Sequence, residues 1–234
     1  MSLAGKIALV TGGTGALGSV IAGRFLSERM KVAASYVTED DLKHLSDEFK
    51  KQVLIIKGNM NNESEVIQLF DAVAATFGSI DIVVNTVGGF LPKKQLTEVS
   101  VEEWERMMNI NLKSSFLCTR EALRRMKGKK YGRVVNTSAM VGLNPSPGRA
   151  AYAISKAAVS LLTEIVAQEI KGTGITVNAV APSIIRTKAN LASMPDEDSR
   201  KWVKPEEIAD LICYLCTEFA GAITGTTLKA YGGV

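Results

Sequence analysis

Seven short apolar runs alternate with amphipathic stretches along almost the whole chain, and this alternation restricts the fold more than any other feature. KIALV (6–10), KVAASY (31–36), QVLIIK (52–57), IDIVVN (80–85), RVVNTS (133–138), GITVNAV (174–180) and TTLKAY (226–231) have strand length. They are apolar on both faces, as buried parallel strands are. Between them lie SVIAGRFLSER, DLKHLSDEFKK, ESEVIQLFDAVAATFG, SVEEWERMMNINLKSSFLCTREALRRMKG, AYAISKAAVSLLTEIVAQEIKG and KPEEIADLICYLCTEFA, each apolar at helical spacing. Gly78, Gly128 and Gly172 stand where helices should stop, and Ser100 with Glu103 forms a capping box. Strand–helix alternation requires right-handed crossovers between parallel strands. The expected fold is α/β: a doubly wound, seven-stranded parallel sheet with helices on both faces. One domain over 1–234 is expected, with a polar, poorly periodic loop around 183–204 that suits a substrate.

Composition removes several functions. The chain is 46% hydrophobic and carries a net charge of +4, which supports a core but is too weak an imbalance to argue for nucleic acid. With one histidine, His44, no multi-histidine zinc site is possible, and that residue sits in a polar helical stretch that suits no hydrolase triad. No metal is expected. Cys118, Cys213 and Cys216 suit a reducing compartment, and the C-x-x-C pair falls mid-helix beside Ile212 and Leu215 as a buried face. The opening MSLAGKIALV has no signal-peptide pattern, and no apolar run approaches the roughly 20 residues of a membrane span. A cytoplasmic protein without a membrane partner is expected.

TGGTGALG (11–18) follows the first strand and opens the first helix. Gly13, Gly15 and Gly18 satisfy G-x-G-x-x-G. The first glycine is expected to make the tight turn, the second to let backbone approach a pyrophosphate, and the third to pack helix on strand. The helix N-terminus then offers free N–H groups to the anion. The motif implies a dinucleotide. About 20 residues on, an acidic residue would hold a ribose hydroxyl and a basic one a 2′-phosphate. The second strand ends instead in Ser35–Tyr36–Val37–Thr38, with Glu39, Asp40 and Asp41 just beyond. NAD and NADP both remain open.

AYAISKAAV places Tyr152 and Lys156 four residues apart on one helix face. A phenol titrating near 10 is a poor proton donor at neutral pH, and a nearby ammonium lowers that value. The pair makes a usable acid beside a bound cofactor.

With TGGTGALG, NTVGG (85–89), NINL (109–112), RVVNTSAMVG (133–142), YAISK (152–156) and VNAVAPSIIRT (177–187), the chain resembles the short-chain dehydrogenase/reductase family over essentially its whole length. The resemblance implies a Rossmann-like sheet and hydride transfer between nicotinamide and a small carbonyl, imine or alcohol carbon. It implies Tyr152 as proton donor, Lys156 as its tuner and ribose ligand, and Asn111 as holder of a relay water. It places Gly12, Gly13, Gly15, Ala16, Leu17, Gly18, Tyr36, Asn59, Met60, Asn85, Gly88, Pro182, Ile185 and Thr187 along the cofactor, with Thr187 on its carboxamide. It also implies a homo-oligomer, tetramer or dimer, formed through the helices that carry Trp104 and Tyr152.

The departures are specific. Ala16 replaces a glycine, Gly15 removes a basic residue common in NADP-dependent members, and Ser183 stands where a glycine usually follows Pro182. The family's catalytic serine lies 13 residues before the tyrosine, which is Ala139 here. Ser138, one residue off, is the candidate for that catalytic role, which requires the Asn144–Pro147 loop to compensate for a strand pleat that turns it to the other face. Dihydropteridine reductases, which lack that serine, share GGTGALGS, VGGF (87–90) and SMPDED (193–198). A non-catalytic NAD(P) redox sensor is the alternative from another class.

Overall fold

In the computed structural model, which describes residues 3–234, every expected strand is present. They are β1 (Ile7–Thr11), β2 (Lys31–Tyr36), β3 (Val53–Lys57), β4 (Ile82–Asn85), β5 (Gly132–Thr137), β6 (Ile175–Pro182) and β7 (Thr227–Ala230). All pair in parallel, in the order β3-β2-β1-β4-β5-β6-β7.

The pleat explains why these runs are apolar throughout. Ala8 and Val10 of β1, Val32 and Ala34 of β2 and Ile82 and Val84 of β4 face one layer of core. The intervening Ile7, Leu9, Ala33 and Val83 face the other. The first layer is closed by α1 (Gly18–Ser27) through Ile21 and Phe25, and by α9 (Pro205–Cys216) through Ile208 and Ile212. The second is closed by α3 (Glu63–Phe77) through Leu69 and Phe70, by α5 (Ser114–Met126) through Leu117 and Met126, and by α7 (Ala150–Glu169) through Val166. Cys213 and Cys216 are buried and free, as their helical placement suggested.

Three expectations need correction. DLKHLSDEFKK is not one helix. Thr38 and Asp41 close a 3-10 turn over Glu39–Leu42, and Ser46 accepts from Phe49 N–H to start a separate α2 (Asp47–Gln52). The long fourth helix is interrupted between α4 (Val101–Met107) and α5 by a π-helical stretch, Met108–Lys113. There the hydroxyls of Ser114 and Ser115 donate to the carbonyls of Ile110 and Asn111 at 2.6 and 2.8 Å. Thirdly, α7 is among the described residues the one helix long and apolar enough to cross a membrane, although its sequence did not stand out as such a run. Its buried face packs on the sheet layer through Thr163 and Val166, and on α4 and the π-helical stretch through Ala151 and Ser155.

The sheet order reverses between β1 and β4, since β1 continues into β2 on one side and β4 continues into β5 on the other. Such a switch opens a crevice at the carboxyl ends of the two strands. The glycine loop leaves β1 at that point. The short α6 (Met140–Leu143) and α8 (Lys188–Ser193) lie in the segments after β5 and β6 on the same edge.

Candidate active site

The glycine loop is shaped by missing side chains. Gly12 makes the turn, with φ of +66°, so the tight turn falls one residue before the glycine expected to make it. Its N–H donates to Ser35 Oγ at 2.9 Å, tying the loop to the end of β2. A Cβ on Gly13 would stand 2.7 Å from Ala34 Cβ, and one on Gly18 would stand 2.2 Å from the Gly12 carbonyl oxygen. Both glycines therefore allow close packing. Gly15 differs: it and Ala16 are exposed, and its Cβ would meet only the Gly12 oxygen, at 3.2 Å. Leu17 precedes the helix and is partly buried against the first core layer. Gly15 N–H donates to the Gly12 carbonyl at 2.9 Å, and the exposed backbone that follows at Ala16, just before α1, is a cradle that fits a pyrophosphate.

At the end of β2, each acidic residue has a local partner. Tyr36 OH donates to Glu39 at 3.1 Å, Asp40 pairs with Lys43 at 2.6 Å, and Asp41 accepts from the N–H groups of Val37 and Thr38. Asn59 Oδ1 accepts from Asn61 N–H at 3.0 Å, which leaves the Asn59 amide nitrogen for a ligand. Met60 sends its side chain into the core beside Cys118, so only its backbone can serve a cofactor. Asn85 is likewise not aimed along a ligand. It accepts from Thr11 Oγ1 at 3.3 Å and donates to Asn136 at 2.8 Å, in a buried chain that joins β1, β4 and β5.

Lys156, Asn111 and Gly88 meet. A Cβ on Gly88 would lie 2.9 Å from Asn111 Oδ1 and 3.0 Å from Lys156 Nζ. Asn111 is fully buried within the π-helical stretch. Its Oδ1 accepts from Gly89 N–H at 2.9 Å, and its Nδ2 donates to the Gly89 carbonyl at 3.0 Å and to Ser155 Oγ at 2.9 Å. Ser155 in turn donates to the Tyr152 carbonyl at 2.8 Å. Lys156 Nζ donates to the Thr137 carbonyl at 2.8 Å. Burial lowers the Lys156 ammonium to about 8.

The electrostatics of Tyr152 differ from the expectation. Burial pushes its phenol above the ordinary value, and the charge that opposes this shift belongs to Arg149, not Lys156. The ammonium is turned toward Thr137 and Gly88 instead.

Ser138 does not face the pocket. Its hydroxyl donates to the Lys156 carbonyl at 2.8 Å and accepts from Ser160 Oγ at 2.8 Å, beneath α7. Strand alternation put it there, and the Asn144–Pro147 loop does not reverse it. Ala139 occupies the next position, extended and buried.

The segment after β6 is ordered rather than loose. Pro182 is buried at the strand end, and Ile185 bridges Val203 in parallel. Thr187 Oγ1 accepts from Asn190 N–H at 3.2 Å as the cap of α8, leaving its hydroxyl proton for a ligand. Ser183 Oγ donates to the Tyr231 carbonyl at 2.7 Å, and Asn144 donates to Tyr231 OH at 3.3 Å, so the C-terminal tail ties both loops. Sequence reasoning missed Gly89, Thr137, Ser155 and Tyr231. The first two act through backbone atoms, which carry no residue-type signal. Among the described residues, no group of three or more His, Cys, Asp or Glu side chains could hold a metal.

Residues 6–198 match the family model described as short chain dehydrogenase. The 3-oxoacyl-[acyl-carrier-protein] reductase FabG of Rickettsia bellii is 34% identical over 244 residues, covering 100% of this chain and 98% of that protein. The 3-ketoacyl-(acyl-carrier-protein) reductase of Brucella melitensis, solved with NADH, superposes with a TM-score of 0.90 at 28% identity, over 99% of each chain. ElxO, solved with NADP bound, gives 0.91 at 29% identity over 98% of each chain.

Proposed function

This chain belongs to the short-chain dehydrogenase/reductase family, and from that premise we propose that it reduces a small carbonyl or imine, with Tyr152 as proton donor. It is an NAD(P)-dependent oxidoreductase, with NAD or NADP as cofactor. When bound, the cofactor supplies the hydride. Gly15 and Ala16 would hold the pyrophosphate, Asn59 the adenine side, Thr187 the carboxamide, and Lys156 the nicotinamide ribose.

The observation that carries this reading is the junction of Lys156, Asn111 and Gly88. A buried ammonium, a buried amide and a bare glycine stand within 3.0 Å of one point, on the helix that carries Tyr152. A pure sensor of the cofactor needs the glycine loop but no such relay. Tyr152 gives its proton to the substrate atom that gains charge. Arg149 supplies the charge that favours the phenolate left behind, Lys156 is held at Thr137 beside Gly88 where it would meet the ribose, and Asn111 fixes the surrounding backbone through Gly89. Both loops after β5 and β6, with the region around 183–204, form the substrate walls of one domain.

Ala139 favours a second reading. Ser138 is turned under α7, where its hydroxyl is engaged with the Lys156 carbonyl and Ser160 and not with Tyr152. A conjugated imine such as a quinonoid dihydropterin builds no oxyanion, so a missing donor costs it less than it costs a ketone. We also propose a homo-oligomer, formed through the face where Trp104, Phe116, Leu161 and Ile165 are exposed and an open groove of about 390 Å³ separates α5 from α7. A cytoplasmic location belongs to the same proposal.

The test is fluorescence titration with NADH and NADPH, followed by a ketone, aldehyde and quinonoid dihydropterin panel under the preferred cofactor. Reduction of any panel member supports the oxidoreductase, and the dihydropterin alone would select the second reading. Tight cofactor binding with no turnover across the panel would favour the sensor. Sedimentation at micromolar concentration reads the oligomer, and a monomer would remove that part.

A further inference from the structure

Arg149 stands one helical turn before Tyr152 and has no role in the proton relay. Its Nη1 donates to the Leu91 carbonyl at 3.0 Å. Leu91 packs with Met107 and Ala151, and Tyr152 packs against the same cluster. The guanidinium is thus held beside the phenol. It is partly buried, and none of the ion pairs among the described residues includes it.

Cations lead in the chain segments around it. Residues 86–95, 138–156 and 182–195 follow β4, β5 and β6 on the edge where the crevice opens. They contain Lys93, Lys94, Arg149, Lys156, Arg186 and Lys188; the acidic residues come only beyond them, at Glu98 and at Asp196, Glu197 and Asp198, the last of which pairs with Arg200 at 2.8 Å. Lys94 is neutralised by Glu103 of α4 at 2.7 Å, and Lys156 is held at Thr137. Arg186 and Lys188 flank Thr187 and are exposed. Lys93 lies beside Gly148, next in sequence to Arg149. Arg149 is the cation that stands at the reacting phenol.

A partly buried guanidinium without a carboxylate is half of an ion pair. Its desolvation is offset when an anion arrives, and its planar fork suits an oxyanion. We propose that Arg149 anchors the substrate, and that the substrate carries an oxyanionic group, carboxylate or phosphate, near its reducible carbon. This inference rests on the oxidoreductase reading for its geometry but has a separate test. Arginine beside the phenol also does electrostatic work on Tyr152, so the readouts are chosen to separate anchoring from tuning.

Pyruvate, acetoacetate and levulinate are each compared with their methyl esters at pH 7 under the preferred cofactor. At least one acid should exceed its ester in kcat/KM by about 10- to 100-fold, the worth of a hydrogen bond to a charged group, with the gain in KM. In Arg149→Gln, which keeps a donor for the Leu91 carbonyl, that acid-to-ester ratio should collapse toward one. Arg149→Lys should restore part of it. Tuning of the phenol alone would lower acid and ester together and leave the ratio intact, which would overturn the proposal. In parallel, calorimetry on protein saturated with oxidised cofactor compares benzoate, phenyl phosphate and benzamide. Tighter binding of benzoate identifies a carboxylate site, and of phenyl phosphate a phosphate site. If neither binds more tightly than benzamide, the proposal is wrong even where esters are reduced. If both anion binding and its loss in Arg149→Gln are seen without any turnover, the anion site stands and the oxidoreductase reading fails. Should the variant not fold, the wild-type ratios and binding still decide.

Discussion

The glycine loop and the tyrosine helix are built by opposite means. At the loop, structure follows from what is absent: Gly13 and Gly18 sit where any Cβ would strike backbone or a strand side chain. At the helix, structure follows from what side chains hold. Lys156 grips Thr137, Asn111 grips Gly89 and Ser155, and Ser138 grips the Lys156 carbonyl. A site defined by exclusion has rigid residue requirements. A site defined by tethers depends on which way each polar group is turned, and each turn is set by neighbours far away in sequence.

The difference should appear first in pH dependence, which belongs to the tether half alone. The Lys156 ammonium titrates at about 8, down from 10.5, because it is buried. Reductive kcat/KM for the cofactor should therefore fall as pH rises above about 8, by about tenfold per unit, as the relay loses its charge. Stability moves in the opposite direction. The stability tied to a lowered lysine is present above 10.5 and lost as pH falls through about 8. Relative to Lys156→Met, the wild type should lose about 3 kcal/mol over that window, read by denaturant melts at pH 7 and pH 10.5. A flat difference would mean that the ammonium is solvated.

The exclusion half should respond to volume. Gly18→Ala brings a Cβ to 2.2 Å from the Gly12 oxygen, whereas Gly15→Ala brings one only to 3.2 Å from it. Overpacking should cost Gly18→Ala about 1–3 kcal/mol and weaken NAD(P)H binding, while Gly15→Ala stays close to wild type in stability. Equal melting temperatures would remove the contrast.

These two halves were unequally legible in the sequence. The sheet was readable because strands buried on both faces leave unbroken apolar runs, and the glycine loop because only glycine satisfies its spacing. The Tyr152–Lys156 pair was readable from helical periodicity. Its electrostatics were not: which cation acts on the phenol depends on the direction of Lys156 Nζ, fixed by a backbone carbonyl at Thr137. The side-chain directions of Asn85 and Met60 were hidden for a related reason. Position along the crevice follows from the chain path, but their side chains turn into the core. Ser138 was a catalytic candidate from its spacing, against the pleat argument, and its hydroxyl is engaged with the Lys156 carbonyl and Ser160 instead.

Ser138 gives the smallest expected effect and sharpens the contrast within the tether half. Ser138→Ala should lose about 0.5–1.5 kcal/mol of stability from its buried hydrogen bonds while kcat stays near wild type. A large drop in kcat would return the hydroxyl to the reaction.

The central claim is that the phenol on α7 delivers the proton. Tyr152→Phe removes one oxygen and leaves the ring among Leu91 and Met107. Single-turnover reduction under saturating NAD(P)H should slow by about 10²–10⁴-fold, with the cofactor still bound as tightly as in the wild type. Reduction at the wild-type rate in that variant, with cofactor binding intact, would contradict the account.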